Sequence, residues 1–536
     1  MTPLHDNDIT RFTPGEATIR CYVDADLPGV DEPIQAIVST YHKHGEATPG
    51  QLDGEFAFAL WDPAATCLFA ASDVFGLRRL YWARQKDDVL IGPSAARLAA
   101  ALGAELDLET IRLWALGPIW PQRSAFLGIH PLPPGYSLRI DAKGEHLQPW
   151  WRPEQLPPLR YRNIDDYAAH LSELLDTTVA RNLADIDGPL ALELSGGMDT
   201  TTIASLVRDR HPDRPIHAYT RRFPMHPEAE EVHFAQDTAN RLNLRLHDCH
   251  PLGSPEIPLG LETAEDGPWC LHDRMVSAGI RAAHADGCRV LLTGNGGDEL
   301  FFGTTLAWTH PMLRLHLPTW RAVNRLRRQM GVDLPHLLVY VFLYPFLSTH
   351  QISRLRHLTR RATTASWAMD GTIVPGRTSR PAGTPNQRQL RALWASAGTP
   401  WLLNVARREV DGIRFRHPLF DRSLAEFVLR TPAEIWRKAE LSKWPIRRLF
   451  RDRLPATVLQ RRDKSDFQPI YHADFRRCAT SLRRLVQEAP LADLRIADPA
   501  KLSQALEASL APEGPPPGAA LRTTIATAVW LRQYCD

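Results

Sequence analysis

The chain changes its hydrophobic rhythm three times. Between residues 56 and 94, short apolar runs alternate with turn residues: FAFALWD (56–62), TCLFAAS (66–72), RRLYWAR (78–84) and DVLIGPS (88–94). That pattern predicts strands, with Phe56, Phe58 and Trp61 in the core. The Pro-rich stretch from Pro149 to Pro158 reads as a linker. From Ile164 to about Asn182 the spacing turns helical. Apolar runs at 190–194, 215–220, 244–248 and 289–293 then alternate with helical patterns at 201–210, 228–242 and 273–286. Strand–helix alternation of this kind predicts a doubly wound parallel sheet. Beyond residue 304 the pattern is mostly helical, broken by a Pro/Gly/Ser/Thr-rich loop at 371–386. A Pro/Gly cluster at 512–518 precedes a final helix. The expected class is α/β: a β-rich domain over 1–155, then a sheet-and-helix domain over 156–536 whose residues 304–400 are a mostly helical insert.

Two of the predicted strands end in glycine-rich turns. The run Leu190 to Leu194 leads into Ser195-Gly196-Gly197-Met198-Asp199-Thr200-Thr201, followed by a helical pattern. Glycines let backbone N–H groups approach an anion closely, Ser195 and Thr200 add hydroxyls, and a helix N-terminus favours negative charge. Asp199 is out of place in such a cradle unless a metal ion lies between it and the anion. The run Val290 to Leu292 leads into Thr293-Gly294-Asn295-Gly296-Gly297-Asp298. Two such turns, each with one Asp, are expected to converge at the carboxyl ends of the parallel strands, where open α/β sheets bind ligands. Tyr219 and Thr220 end another strand and are expected to line the same place, although core packing explains them equally well.

Composition narrows the classes. The seven cysteines are scattered without a C-x-x-C, so neither a zinc ribbon nor a disulfide framework is indicated, and a reducing cytoplasmic setting is the simplest expectation. The N-terminus lacks a signal-peptide core, and the longest apolar run, around Leu337 to Leu347, is too short to span a bilayer. Residues 304–400 hold 13 Arg, no Lys, two Asp and no Glu. They carry a net +11 against +2 for the whole chain, leaving the remainder acidic. A peptide or protein partner fits this basic block better than nucleic acid, and a solvated helical face would also account for it.

SGGMDT resembles the SGGxDS loop of the ATP pyrophosphatases, and its pairing with GNGGDELFFG resembles the asparagine synthetase superfamily. HKHGEATPGQLDGEFAFALWD and SDVFGLRRLYWAR look like the back half of a class II glutamine amidotransferase domain of the Ntn type. RFRHPLFDRSLAEFVLRTP (414–432) and LSKWPIRRLFRDRLPATVLQRRDKSDF (441–467) look like the synthetase elements that follow. The resemblance implies ATP bound at Leu194, Ser195, Gly196, Gly197, Asp199, Thr200 and Thr201, with Tyr219, Thr220, Gly294, Gly296 and Gly297 around it. It implies Mg²⁺ held by Asp199 and Asp298. The expected fold is therefore a degenerate glutaminase-like domain joined to an ATP pyrophosphatase domain with a helical C-terminal part.

The resemblance breaks at two places. A working glutaminase of this class needs Cys at position 2 and an Asn-Gly-Glu segment; here position 2 is Thr and the segment is missing. The implied amine donor is then the substrate itself, as in β-lactam synthetases and lasso peptide cyclases. Asn295 stands where β-lactam synthetases carry a catalytic Tyr and asparagine synthetases a Glu. That spelling looks closer to the cyclases, which join a peptide's N-terminal amine to an Asp or Glu side chain, working with a leader-recognition protein and a leader peptidase. Lys464 matches the family's catalytic lysine. With only seven Lys against 56 Arg, Lys443 also draws notice, since a retained lysine suggests a need for a compact ammonium. His272, Glu265, Asp266, Glu409 and His417 are the candidate bases. The other readings are an amidating enzyme acting on a small substrate, of the asparagine or β-lactam synthetase type, and an inactive scaffold.

Overall fold

The computed structural model describes residues 9–301 apart from 16, 117–122, 251–255, 259–260 and 272, then residue 367, and 413–534 apart from 439–440, 463–464 and 466. Lys464, His272, Glu409 and nearly all of the basic insert lie outside the described residues.

The N-terminal part stacks two antiparallel sheets. One runs β1 (Thr10–Phe12), β6 (Asp88–Gly92), β5 (Tyr81–Gln85), β7 (His130–Pro131). The other runs β2 (Arg20–Asp26), β3 (Glu55–Asp62), β4 (Cys67–Ser72), β8 (Tyr136–Asp141), β9 (Gly144–Pro149). Strand β3 is buried on both faces. Ala57, Ala59 and Trp61 point into the space between the sheets with Phe12, Trp82 and Ile91. Phe56, Phe58 and Leu60 point the other way, under Ile37 and Tyr41 of helix α1 (Pro33–His44). The first sheet is covered in turn: Tyr81, Ala83 and Leu90 pack with helices α2 (Ala95–Leu102) and α3 (Leu108–Leu116) and with the C-terminal helices Ala479–Glu488 and Ala519–Leu531. Four layers result, and the outermost is shared with the other end of the chain.

The second part is built on one parallel sheet, in the order β12 (Arg245–Cys249), β11 (Ile216–Arg221), β10 (Leu190–Glu193), β15 (Val290–Leu292), β16 (Arg414–Arg416). Helices α4 (Ile164–Leu183), α5 (Met198–Arg210) and α6 (Val232–Leu242) cover one face, where Leu190 and Leu192 point. Helix α7 (Asp273–Ala285) covers the face of Ala191, Tyr219 and Leu291. Asn163 starts α4 by accepting from the backbone N–H of Asp165 and Asp166. Strands β10 and β15 are neighbours although the chain leaves them toward opposite edges, so the gap between their carboxyl ends is the topological switch point.

The stretch 149–158 is anchored at both tryptophans. Trp151 lies in the core of the second part and donates its Nε1–H to Glu426 (2.9 Å), and Trp150 donates to the Ser72 carbonyl (3.1 Å). Arg416 at the end of β16 completes the join. It is 2% exposed and donates to Asp26 of β2 (2.8 and 3.2 Å) and to Asp185.

Candidate functional site

The glycine turns meet at the switch point as expected, and the glycines are there because they must be. Gly196 has φ +71°, and a Cβ on it would lie 2.3 Å from Phe234 Cβ and 2.7 Å from the Ala235 nitrogen at the start of α6. A Cβ on Gly294 would lie 2.8 Å from the Thr200 nitrogen, and one on Gly297 would lie 2.1 Å from the carboxylate carbon of Asp199. The second turn thus gives up side-chain volume so that Asp199 and Thr200 of the first can sit against its backbone. Gly296, with φ +94°, turns the chain into the short helix α8 (Gly297–Phe301), which presents Asp298.

Within the first turn the polar groups hold one another. Gly197 N–H donates to Ser195 Oγ (3.2 Å), Ser195 N–H to Thr200 Oγ1 (3.3 Å), and Thr200 Oγ1 to the Gly197 carbonyl (3.3 Å). Thr201 is wholly buried in α5 and its hydroxyl has no partner. In the second turn Asn295 N–H donates to Thr293 Oγ1 (3.3 Å), while its side-chain Nδ2 is buried with no hydrogen-bond partner. A cleft opens beside the first turn, lined by Glu193, Leu194, Ser195, Thr200, Tyr219, Thr220 and Arg221 among others. It brings Tyr219 and Thr220 alongside the loop residues. Burial raises the Glu193 carboxyl above the usual range, against the pull of Arg221.

Among the described residues, Lys443 meets both acids of the turns. It is 4% exposed, and its Nζ donates to Asp199 and to Asp298 Oδ1 (2.8 Å). Burial works against its charge, but the two carboxylates outweigh burial and hold the ammonium above the ordinary lysine pKa. Lys443 reaches the site from a backbone with φ +57°, between the short hairpin of β17 (Arg437–Lys438) with β18 (Leu441–Ser442) and the helix Trp444–Leu449. Arg447 braces this segment by donating to the carbonyls of Ser442, Leu459 and Arg461. The sequence signals for Lys443 were the scarcity of lysine and its place in the family-like segment 441–467.

The remaining base candidates within the described residues have other occupations. Asp266 is buried where it accepts from Ser94 Oγ (2.6 Å) and Ala96 N–H (3.0 Å) at the start of α2, and burial raises it to about 6. Glu265 pairs with Arg97, and its carbonyl accepts from Trp530 and Tyr534. Both belong to a hairpin, β13 (Glu262–Ala264) with β14 (Gly267–Leu271), that no sequence pattern announced, and neither lines the cleft. His417 is wholly enclosed beneath the second turn, with Nδ1 2.7 Å from Thr293 Oγ1. Burial, aided by Arg78, drives its pKa down to about 3, so the ring is neutral and supports the turn. Asp421 caps the helix Arg422–Arg430 through the Leu424 N–H (3.0 Å).

The residues fit Mg²⁺ with a pyrophosphate group. Asp199 and Asp298 share one cation, and Asn295 Nδ2 is buried in the second turn with no hydrogen-bond partner.

Comparison with known proteins gives the family. The asparagine synthase family pattern matches residues 170–532, and a glutamine amidotransferase domain pattern matches residues 34–151. Among curated relatives, the amidase chyE of Penicillium rubens is 28% identical over 295 residues, covering 50% of this chain and 42% of that protein. Asparagine synthetase 3 of Bacillus subtilis is 26% identical over 193 residues, covering 35% of this chain and 31% of that protein. A putative asparagine synthetase of Mycobacterium tuberculosis is 25% identical over 483 residues, 82% of this chain and 70% of that protein. The first two matches span less than half of those relatives. An N-terminal glutamine amidotransferase-like domain precedes a parallel-sheet synthetase domain, and the chain belongs to the asparagine synthase family, whose members are ATP-dependent amide-forming ligases.

Proposed function

We propose that this protein is an ATP-dependent macrocyclase. It would adenylate an Asp or Glu side chain of a peptide freed of its leader, then join that carbonyl to the peptide's N-terminal amine, as in lasso peptide biosynthesis. The observation that carries the ATP-dependent part is the convergence of Asp199, Asp298 and Lys443 at the mouth of the glycine turns.

The side-chain carboxylate attacks the α-phosphorus of ATP and pyrophosphate leaves. The amine then attacks the acyl-adenylate, AMP departs, and the amine loses a proton. Ser195, Thr200 and the N–H groups of both turns orient the phosphates. Lys443 supplies positive charge where the leaving pyrophosphate gathers negative charge, and Lys464 is a second candidate for that task. Charge neutralisation by fixed groups is the main resource in such transfers. Mg²⁺, when held by Asp199 and Asp298, would add to that neutralisation.

Asn295 favours the cyclase reading, because an amide in place of Tyr or Glu cannot serve as the base those relatives use. The basic insert at 304–400 would suit a peptide or a delivery partner, such as a leader-recognition protein or a leader peptidase. Among the described residues no helix is long and apolar enough to cross a membrane.

The test is pyrophosphate release with Mg·ATP. Free aspartate plus ammonia is compared with peptides bearing a free N-terminus and an internal Asp or Glu, with mass spectrometry reading the loss of one water. Turnover with peptide only, abolished in Asp199→Ala, is expected. Turnover with the amino acid instead returns the chain to small-substrate amidation, the activity the curated relatives' names suggest.

A further inference from the structure

A second cluster of ligating side chains lies on the α7 face of the sheet. His217 near the start of β11, His247 in β12 and Asp286 just past the end of α7 converge there. His217 Nδ1 is 3.1 Å from His247 Nε2 and 3.4 Å from Asp286 Oδ2, and His247 Nδ1 is 3.6 Å from the same oxygen. Four-coordinate Zn²⁺ with bonds of about 2.0–2.2 Å places its donors about 3.3–3.6 Å apart; one ion takes one nitrogen of each ring, and His217 Nδ1 stands near that spacing from both His247 Nε2 and Asp286 Oδ2, with one donor atom from each of the three residues within 4.8 Å of the others. Two imidazoles and one carboxylate suit a borderline ion such as Zn²⁺ or Co²⁺ better than Mg²⁺, which prefers oxygen.

Two features separate this cluster from chance proximity. Each residue comes from a different element, and the register of the parallel sheet sets Tyr219 of β11 opposite His247 of β12, with His217 two residues earlier on the same face. The Tyr219 hydroxyl donates to Asp286 Oδ2 (2.7 Å), the kind of outer contact that orients a ligating carboxylate.

We propose that His217, His247 and Asp286 form a binding site for one transition-metal ion of the Zn²⁺ class, with solvent completing its shell on the side where His247 and Asp286 are accessible. Tyr219 also lines the cleft beside Ser195 and Thr200. The metal would thus brace one wall of that cleft from outside it.

The experiment uses chelator-stripped full-length protein without ATP or Mg²⁺. Zn²⁺ uptake is measured by competition with a chromophoric chelator, and Co²⁺ substitution by visible absorption. Expected are one tight equivalent of Zn²⁺ per chain, a rise in Tm of a few degrees on Zn²⁺ addition, and the bands of a four-coordinate Co²⁺ site. His247→Ala and Asp286→Asn should each remove the tight equivalent, and Tyr219→Phe should weaken it by about 10-fold or more. No tight equivalent in the wild-type protein overturns the proposal. So does undiminished uptake in His247→Ala or Asp286→Asn. Should those variants fail to fold, the wild-type Co²⁺ spectrum decides alone: without four-coordinate bands showing nitrogen ligation, the proposal fails.

Discussion

Among the described residues, Arg416 and Lys443 are buried cations each held between two carboxylates, and their settings differ. Arg416 lies between Asp26 and Asp185 where the two domains join, with its guanidinium bidentate to both. Lys443 lies between Asp199 and Asp298 at the switch point, and the Asp298 side chain is 40% exposed. A planar fork with five fixed donors suits permanent pairing. A compact ammonium on a flexible stem suits a place where an anion or another cation must come and go. Arginine fastens the scaffold and lysine serves the site, in a chain that otherwise spends arginine almost everywhere.

The comparison breaks if the two cations prove interchangeable in effect. Arg416→Met leaves buried Asp26 and half-buried Asp185 with only the longer contacts of the more exposed Arg414, and we expect a loss of up to about 3–5 kcal/mol in stability, read as a lower urea midpoint or Tm. Wild-type stability in that variant would show that the join does not depend on the ion pairs. Lys443→Met should move stability far less but slow ATP-dependent pyrophosphate release by about 10²–10³-fold. Added Mg²⁺ should raise its Tm more than it raises that of the wild type, because two carboxylates then lack their ammonium. Equal Mg²⁺ responses would count against a shared metal site.

Gly297→Ala sharpens the same contrast without touching charge. The new methyl would meet Asp199, and a displacement of about 1 Å should cost about 10²-fold in rate. Wild-type rates would mean that the contact between the turns is not needed. The smallest effect concerns pH. Burial tends to raise the Asp26 pKa, but hydrogen bonds and charge from Arg416 outweigh it and hold Asp26 below the ordinary carboxylate range. Hydrogen bonds from Arg416 lower Asp185 as well. Folded-state pKa values are thus depressed, so this part of the stability is present above about pH 4 and is lost as pH falls below it. Acid unfolding curves of Arg416→Met should be flatter over that range than those of the wild type.

Much of the synthetase half was legible from period and turn chemistry. The helix at 164, the four strands β10, β11, β12 and β15, and both glycine turns follow from local rules. Strand β16 was not legible, because Arg-Phe-Arg is three residues long and both arginines reach for carboxylates that other elements supply. The hairpin at 262–271 had no alternation to announce it. Lys443 was only partly legible: it stands in a family-like segment, but nothing local says that its side chain meets the two acids. Its role depends on a left-handed backbone residue that delivers the side chain across the sheet's end to two acids, 244 and 145 positions away in sequence.

The sequence by itself determined which segments become strands and helices, where glycine must stand, and which acids flank the turns. These are consequences of periodicity and backbone sterics, which act over a few residues. Only the tertiary structure decided which cation meets those acids, that His417 supports the second turn as a neutral ring, and that His217, His247 and Asp286 share one spot. Those outcomes depend on strand order and register. A sheet that places β10 between β11 and β15 brings together groups whose spacing along the chain carries no trace of their contact.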